Sequence, residues 1–349
     1  MPLDALLRHL CERSGSDLHL LQGQGPKIRV HGRLVAAELP GDAPDVEELV
    51  SPLLDDAHRA RFERNGEVDL AYQTEAAGRF RVNVFRHHGG VGAVFRHIPI
   101  RIPTLEELDI PGKVERFTHM KSGLVLVTGP TGSGKSSTLA AVLDKINHSD
   151  SRHVITIEDP IEFLHTDDRC IFTQREVGRD TESFALALRS AGRQDPDLLL
   201  VGEMRDRETI QLALTLAEMG MLVFSTLHTN SAGRTIDRIV EVFPEASQAQ
   251  IRSMLAGSLQ GVLSQILCRR ADGTGRVPAT ELLFSSTAVR SVIREGASHK
   301  IESILQAGRS EGMHSMDDSL LRLVQDGSIE GFEAYRKATD KSRFHRFIT

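Results

Sequence analysis

Residues 129–136 read GPTGSGKS, a glycine-rich run closed by a lysine and a serine in the pattern G-x-x-x-x-G-K-[ST]. A backbone this rich in glycine can curl so that successive N–H groups converge on one phosphate. The run follows the apolar segment LVLVT and opens a helical pattern, so a helix N-terminus would add its partial positive charge to the cradle. Lys135 would reach the outer phosphates of a bound nucleotide, and Ser136 would give an oxygen to Mg²⁺. The expected nucleotide contacts are Gly129, Pro130, Thr131, Gly132, Ser133, Gly134, Lys135, Ser136 and Ser137. A glycine-rich strand-to-helix turn without a ligand is the plainer reading of the same residues.

Phosphoryl transfer also needs a held ion and an oriented water, work done by carboxylates at strand ends. Two segments offer them. LLLVGEM puts Glu203 just past a buried run, and ITIEDPIEF puts Glu158, Asp159 and Glu162 at the end of another, with Pro160 turning the chain. P-loop proteins often carry Asp where this chain has Gly202. That leaves Ser136, phosphate oxygens and water to hold the ion, and Glu203 free for the attacking water. Asp206 is expected to start a helix rather than bind an ion. His228 ends a third apolar run, MLVFSTLH, and could be a metal ligand, a general base, a phosphate sensor or a core histidine. No second His or Cys lies at ligand spacing near it, which disfavours the metal.

These residues need strands and helices in alternation. GLVLVTG, HVITIED, PDLLLVGE and MLVFSTLH are expected as strands, with helices running to about Asn147, over Thr181–Gly192 and over Arg207–Met219. Such alternation predicts an α/β domain with a mostly parallel sheet. From Ser247 the chain is expected to turn helical. Ile251, Met254, Leu255, Leu259, Val262 and Ile266 fall on one apolar stripe, and further helices fill Ala288–Gly327.

Residues 1–98 predict a smaller α+β domain. A helix is expected over Asp4–Cys11, a hairpin over PKIRVHGRLVAA turning at Gly32, and helical spacing over Asp45–Phe62. EVDLAYQT, RFRVNVFRH and GVGAVFRHI then read as strands, the last two joined through Gly89-Gly90. Pro99 and Pro103 break helix and sheet alike, so a linker is expected at 99–104 and the second domain at 105–349.

A net charge of −6 creates no global field for nucleic acid, and the absence of Trp with only two Tyr leaves no stacking platform for bases. The longest apolar runs are strand-length, too short to span a bilayer. Cys11, Cys170 and Cys268 are far apart, form no metal pattern and fit a reducing cytoplasm.

Taken in order, VTGPTGSGKSSTLAA, ITIEDPIEF, REVGRDTESFALALRSAGRQDPDLLLVGEMRD and STLHTNSAGRTIDRI resemble the secretion ATPases of type II secretion and type IV pili. Within them the chain is similar to the PilT-type pilus retraction ATPases, from SDLHL at Ser16 to the helices past Leu320. RFRVNVFRHHGGVGAVFRHIP resembles the hinge-proximal strands of that family's N-terminal PAS-like domain. TAVRSVIRE, Thr287–Glu295, resembles its C-terminal helix associated with retraction. Extension and secretion members usually carry an extra N-terminal domain and a four-cysteine zinc insertion. This chain starts almost at the PAS-like domain and has one cysteine in ILCRRADGTGRV, so retraction is the expected subtype.

The resemblance implies a RecA-like P-loop NTPase domain with a smaller N-terminal PAS-like α+β domain. It also implies a homohexameric ring, ATP and Mg²⁺ as cofactors, and hydrolysis of ATP to ADP and phosphate that drives pilus retraction and twitching motility. Glu203 matches the Walker B glutamate, the expected general base. Glu162 matches the acidic-box glutamate that helps place Mg²⁺ and its waters, and the two roles could be exchanged. Arg81 and Arg96 match N-domain arginines that approach the nucleotide, where an arginine on the γ-phosphate is worth about 10³–10⁵ in rate. Without the resemblance, Arg79, Arg81 and Arg86 read as one solvated face of an alternating strand.

His228 matches the second of two family histidines and is expected to sense the phosphate state. The first position, seven residues earlier, holds Met221, which cannot donate to phosphate and is expected to alter coupling, ring symmetry or turnover. The implied partners are the inner-membrane pilus platform protein and the pilus base, reached from the cytoplasm without membrane insertion or nucleic acid. Three other functions compete. A motor of a related secretion or DNA-uptake machine would differ only in its partner. A low-turnover ATP-binding regulatory ring has Met221 as its one support. A nucleic-acid translocase is opposed by the net charge.

Overall fold

The structure is a computed structural model that describes residues 3–30, 32–37, 43–75, 77–98 and 101–348. The chain divides into two compact units, Met1–Arg101 and Ile102–Thr349. Pro99 and Ile100 of the expected linker, and His31 in the expected hairpin, lie outside the described residues. Both units mix helix and sheet.

In the first unit, α1 (Leu3–Glu12) leads to β1 (Gly15–Leu21) and the pair β2 (Lys27–Val30) and β3 (Arg33–Ala36). The helices α2 (Val46–Val50) and α3 (Asp56–Asn65) follow, then β4 (Glu67–Thr74), β5 (Gly78–His87) and β6 (Gly90–Ile98). The sheet is antiparallel in the order β3-β2-β1-β6-β5-β4. Strand alternation sorts its faces. Phe80, Val82 and Val84 of β5 are buried with Leu18, Leu20 and Phe95 against Leu6, Leu7 and Leu10 of α1. Arg79, Arg81 and Asn83 therefore stand on the other face. The helical spacing over Asp45–Phe62 is not one helix. Asp45 and Asp55 cap two separate helices, and a 3₁₀ turn at Ser51–Leu53 interrupts them. Pro52 has no N–H to donate back along a continuous helix.

The second unit begins with β7 (Gly123–Thr128), α4 (Lys135–Ser149), β8 (His153–Glu158) and β9 (Ile171–Glu176). Then come α5 (Phe184–Ala191), β10 (Leu198–Val201), α6 (Arg207–Glu218) and β11 (Leu222–Leu227). α7 (Ala232–Glu241) and α8 (Glu245–Ser258) lead into β12 (Leu259–Arg269) and β13 (Arg276–Phe284). The helices α9 (Thr287–Glu295), α10 (Ile301–Ala307), α11 (Met316–Gln325) and α12 (Gly331–Lys337) follow. The sheet order is β13-β12-β7-β11-β10-β8-β9, parallel except for the β12–β13 pair. β7, β10 and β11 are buried along their whole length, as central parallel strands covered on both faces must be.

The expected helical stripe from Ile251 to Ile266 is corrected. The helix stops at Ser258, and Leu259, Val262 and Ile266 belong to β12. A strand buried on both faces is apolar nearly throughout, so its residues mimic a helical stripe. β9 carries no strand signature in the sequence, because IFTQRE is short and polar at the edge of the sheet. Among the described residues, no helix is long and apolar enough to cross a membrane.

Candidate active site

The parallel strands β7, β8, β10 and β11 end on the same side of the sheet, and the sequence candidates of the second unit sit at those ends. After β7 the loop 129–134 turns into α4, with Gly134 in the left-handed region at φ 88°. Gly129 has φ 149°, and a Cβ there would lie 2.2 Å from Gln265 O. No side chain fits at that approach. Lys135 is buried and its Nζ donates to Gly129 O at 2.9 Å and Pro130 O at 3.1 Å. Burial lowers the pKa of this ammonium, and the carboxylates of Glu203 and Glu162 oppose the shift. Both acids are thus within electrostatic reach of the loop lysine. Ser133 Oγ is buried with no hydrogen-bond partner among the described residues, a donor left over inside an anion cradle. The loop fits a nucleotide phosphate.

Sequence reasoning missed what holds this loop. Gln265 of β12 is almost wholly buried, and its Nε2 donates to Ser133 O at 2.6 Å while its Oε1 accepts from Thr138 Oγ1 at 3.0 Å. One residue earlier, Ser264 Oγ meets Thr128 Oγ1 at 2.8 Å. The only available signal was a polar Ser-Gln pair inside an apolar run.

Glu203 follows β10. Arg205 approaches its Oε1 at 2.5 Å, and His228 Nε2 lies 3.4 Å from its Oε2. At Gly202 an added Cβ would lie 3.2 Å from Ile157 O and 3.3 Å from Glu158 Cα, so an Asp there would crowd β8. Asp206 caps α6, accepting from Thr209 N at 2.9 Å, as expected. Glu162 lies in the turn after β8, half-buried. Burial pushes the Glu158 carboxyl up to about 7, against a hydrogen bond from Thr156. The oxygen donors of Ser136 and Glu162 are of the kind that suits Mg²⁺, with Glu203 left free for a water. No group of three or more His, Cys, Asp or Glu is arranged for a metal among the described residues, so such an ion also requires phosphate oxygens and water.

His228 is exposed, which removes the core-histidine reading. It stands just past the end of β11 that pairs with Thr128 of β7, beside the phosphate loop. Met221 stands just before the other end, where its O accepts from Gly123 N at 3.0 Å and its side chain packs on the core. The six residues of β11 lie between the two, a span of roughly 20 Å. Position 221 therefore lies at the end of β11 away from the phosphate loop.

Arg81 and Arg96 lie in the first unit, opposite each other on β5 and β6. Arg96 Nε donates to Asp17 Oδ1 at 2.9 Å, and Arg81 pairs with Asp69 at 3.6 Å. Burial works against the Asp17 carboxylate, yet hydrogen bonds from Ser16 and Arg96 hold its pKa below the ordinary value. The three arginines do not form one solvated face: Arg79 is buried and Arg81 half-buried, whereas Arg86 stands on the opposite face of β5, exposed, its guanidinium 5.2 Å from the centroid of the Phe62 ring.

Comparison with known proteins shows the family. Residues 3–346 match the family described as Type II/IV secretion system protein. The chain is 48% identical over 345 residues to the type IV pilus retractation ATPase PilT of Pseudomonas aeruginosa, covering 99% of this chain and 100% of that one. It is 49% identical to a twitching motility protein of Neisseria gonorrhoeae, covering 90% and 84% of the two chains. The crystal structure of the pilus retraction motor PilT with bound ADP superposes with a TM-score of 0.90 at 43% identity, covering 99% of each chain. The family match runs through both units, from residue 3 to residue 346, so the chain belongs to the type II/IV secretion system protein family.

Proposed function

We propose that this chain is an ATP-hydrolysing motor that works as a homohexameric ring and drives pilus retraction. The observation that carries the reading is the convergence of Lys135, Glu203 and His228 at adjoining strand ends, with Glu203 bracketed by Arg205 and His228. Full-length similarity to the retraction ATPase of Pseudomonas aeruginosa supports it. The second unit is read as a RecA-like domain over 105–349, the first as a PAS-like domain over 1–98, with a linker at 99–104. The ring is cytoplasmic and docks on the platform protein at the inner-membrane pilus base.

The loop from Gly129 to Ser137 binds the phosphates of ATP. Ser136 and Glu162 would hold Mg²⁺, which neutralises phosphate charge. Glu203 accepts the proton of the attacking water at a carboxylate oxygen. Arg205 and His228 restrict the rotation of that carboxylate, so it waits in one orientation. His228 donates toward the γ-phosphate or its water and reports hydrolysis. Arg81 and Arg96 supply positive charge to the phosphates, with Asp17 and Asp69 aligning them.

Phosphate release by the purified chain in Mg²⁺ and ATP tests the chemistry. Wild type should turn over steadily and Lys135→Ala should not. Loss of the gene should leave cells piliated but unable to retract. A chain that binds ATP without turnover would overturn the motor reading.

A further inference from the structure

Residues 159–165 carry Glu162 and form neither helix nor strand. Such a loop places a carboxylate only as well as its main chain is held. β8 and β9 run in parallel register with Thr156 beside Gln174 and Glu158 beside Glu176, so these four side chains share one face. The loop folds back over that face. Gln174 Nε2 donates to Phe163 O at 2.9 Å, and Gln174 Oε1 accepts from His165 N at 2.9 Å. One side-chain amide thereby satisfies a carbonyl and an N–H of the loop at once, as a neighbouring strand would. Glu176 is buried, and its Oε2 accepts from Ile161 N at 3.1 Å. Glu162 thus lies between backbone groups fixed at residues 161, 163 and 165. The His165 ring also lies flat on Phe172 of β9, with centroids 4.5 Å apart and planes 5° apart.

We propose that Gln174 and Glu176 are positioning residues that hold the 159–165 loop so that Glu162 faces the phosphate end of the sheet. The inference rests on reading the chain as a Mg²⁺-dependent ATPase with Glu162 near the ion. Neither residue touches nucleotide or ion in this account. Both act through the backbone of the loop, as outer-shell partners do in metal sites, where their loss typically costs about 10–100-fold in metal affinity or activity. Gln174 is the more telling of the two, because it is uncharged and a change there leaves the local charge balance intact.

The test combines amide exchange with kinetics on the full chain. In nucleotide-free protein, Gln174→Leu and Glu176→Leu should speed hydrogen–deuterium exchange in the 159–166 peptide at least about tenfold, with the 129–137 peptide unchanged. In steady state both should lower kcat and raise the Mg²⁺ concentration for half-maximal rate by about 10–100-fold, with KM for ATP within about twofold at saturating Mg²⁺. Glu176→Gln keeps an acceptor for Ile161 N and should stay near wild type. Unchanged exchange in the loop overturns the inference. So does a fall in kcat with unaltered Mg²⁺ dependence and protection lost throughout the unit, which marks a merely structural role. If wild type shows no Mg²⁺-dependent hydrolysis, the proposed function falls and the inference with it. If wild type hydrolyses ATP and Glu162→Gln raises the Mg²⁺ requirement while Gln174→Leu does not, the inference alone falls.

Discussion

His228 Nε2 lies 3.4 Å from Glu203 Oε2, joining the ends of β11 and β10 across the mouth of the sheet. A general base aligned this way contributes about 10²–10⁴ in rate. Glu203→Ala should therefore lower kcat by that order while equilibrium binding of ATP persists. His228→Ala should slow turnover by about 10–100-fold, the range for a lost orienting partner, with assembly unchanged by size-exclusion chromatography. Full turnover in Glu203→Ala would remove it as the base.

Met221 lies at the opposite end of β11 from His228 and packs on the core. Restoring a histidine there returns no donor to the phosphates. Met221→His should leave kcat and KM for ATP within about twofold, at some cost in stability from placing an imidazole in a mostly apolar site. A large gain in turnover would show that position 221 acts on the site after all.

Gln265 reaches the phosphate loop from β12 with both of its side-chain groups engaged. Gln265→Leu strands Ser133 O and Thr138 Oγ1, at a cost of about 1–3 kcal/mol for each buried group left unpaired. The variant should melt earlier and show a raised KM for ATP, because the cradle loosens before any catalytic group is lost. Calorimetry together with nucleotide titration would check both effects. A drop in melting temperature with unaltered nucleotide affinity would confine Gln265 to folding.

Glu281 of β13 is buried, accepting from Ala232 N at 2.7 Å and from Met316 N at 3.4 Å, so it bridges the starts of α7 and α11. Burial pushes its carboxyl up to about 7. Between the ordinary value of 4.5 and about 7 the folded chain keeps a proton that the unfolded chain has lost. Stability from this group is full below 4.5, falls as pH rises through 7 and is then level, a change of roughly 3 kcal/mol at about 1.4 kcal/mol per unit. Glu281→Gln should flatten that slope when unfolding is followed between pH 5 and 8. An identical slope in both proteins would exclude Glu281 as its source.

The local order of residues determined much of this protein. GPTGSGKS between an apolar strand and a helix marked the phosphate loop, because a glycine-rich curl and a helix start are short-range properties. The alternation in RFRVNVFRH marked β5, and Asp206 announced its own cap. Long-range pairing was not available from such periods. Leu259, Val262 and Ile266 read as a helix because a strand covered on both faces loses its two-residue signature. Only the assembled sheet placed Gln265 against Ser133, 132 residues away in the chain, and set Gln174 under the backbone of Phe163 and His165. It also put Met221 and His228 at opposite ends of one strand, although seven residues suggested two members of one site. An extended strand carries its ends apart by about 3.3 Å per residue, and which end meets the phosphates is decided by parallel register with β7, not by spacing along the chain.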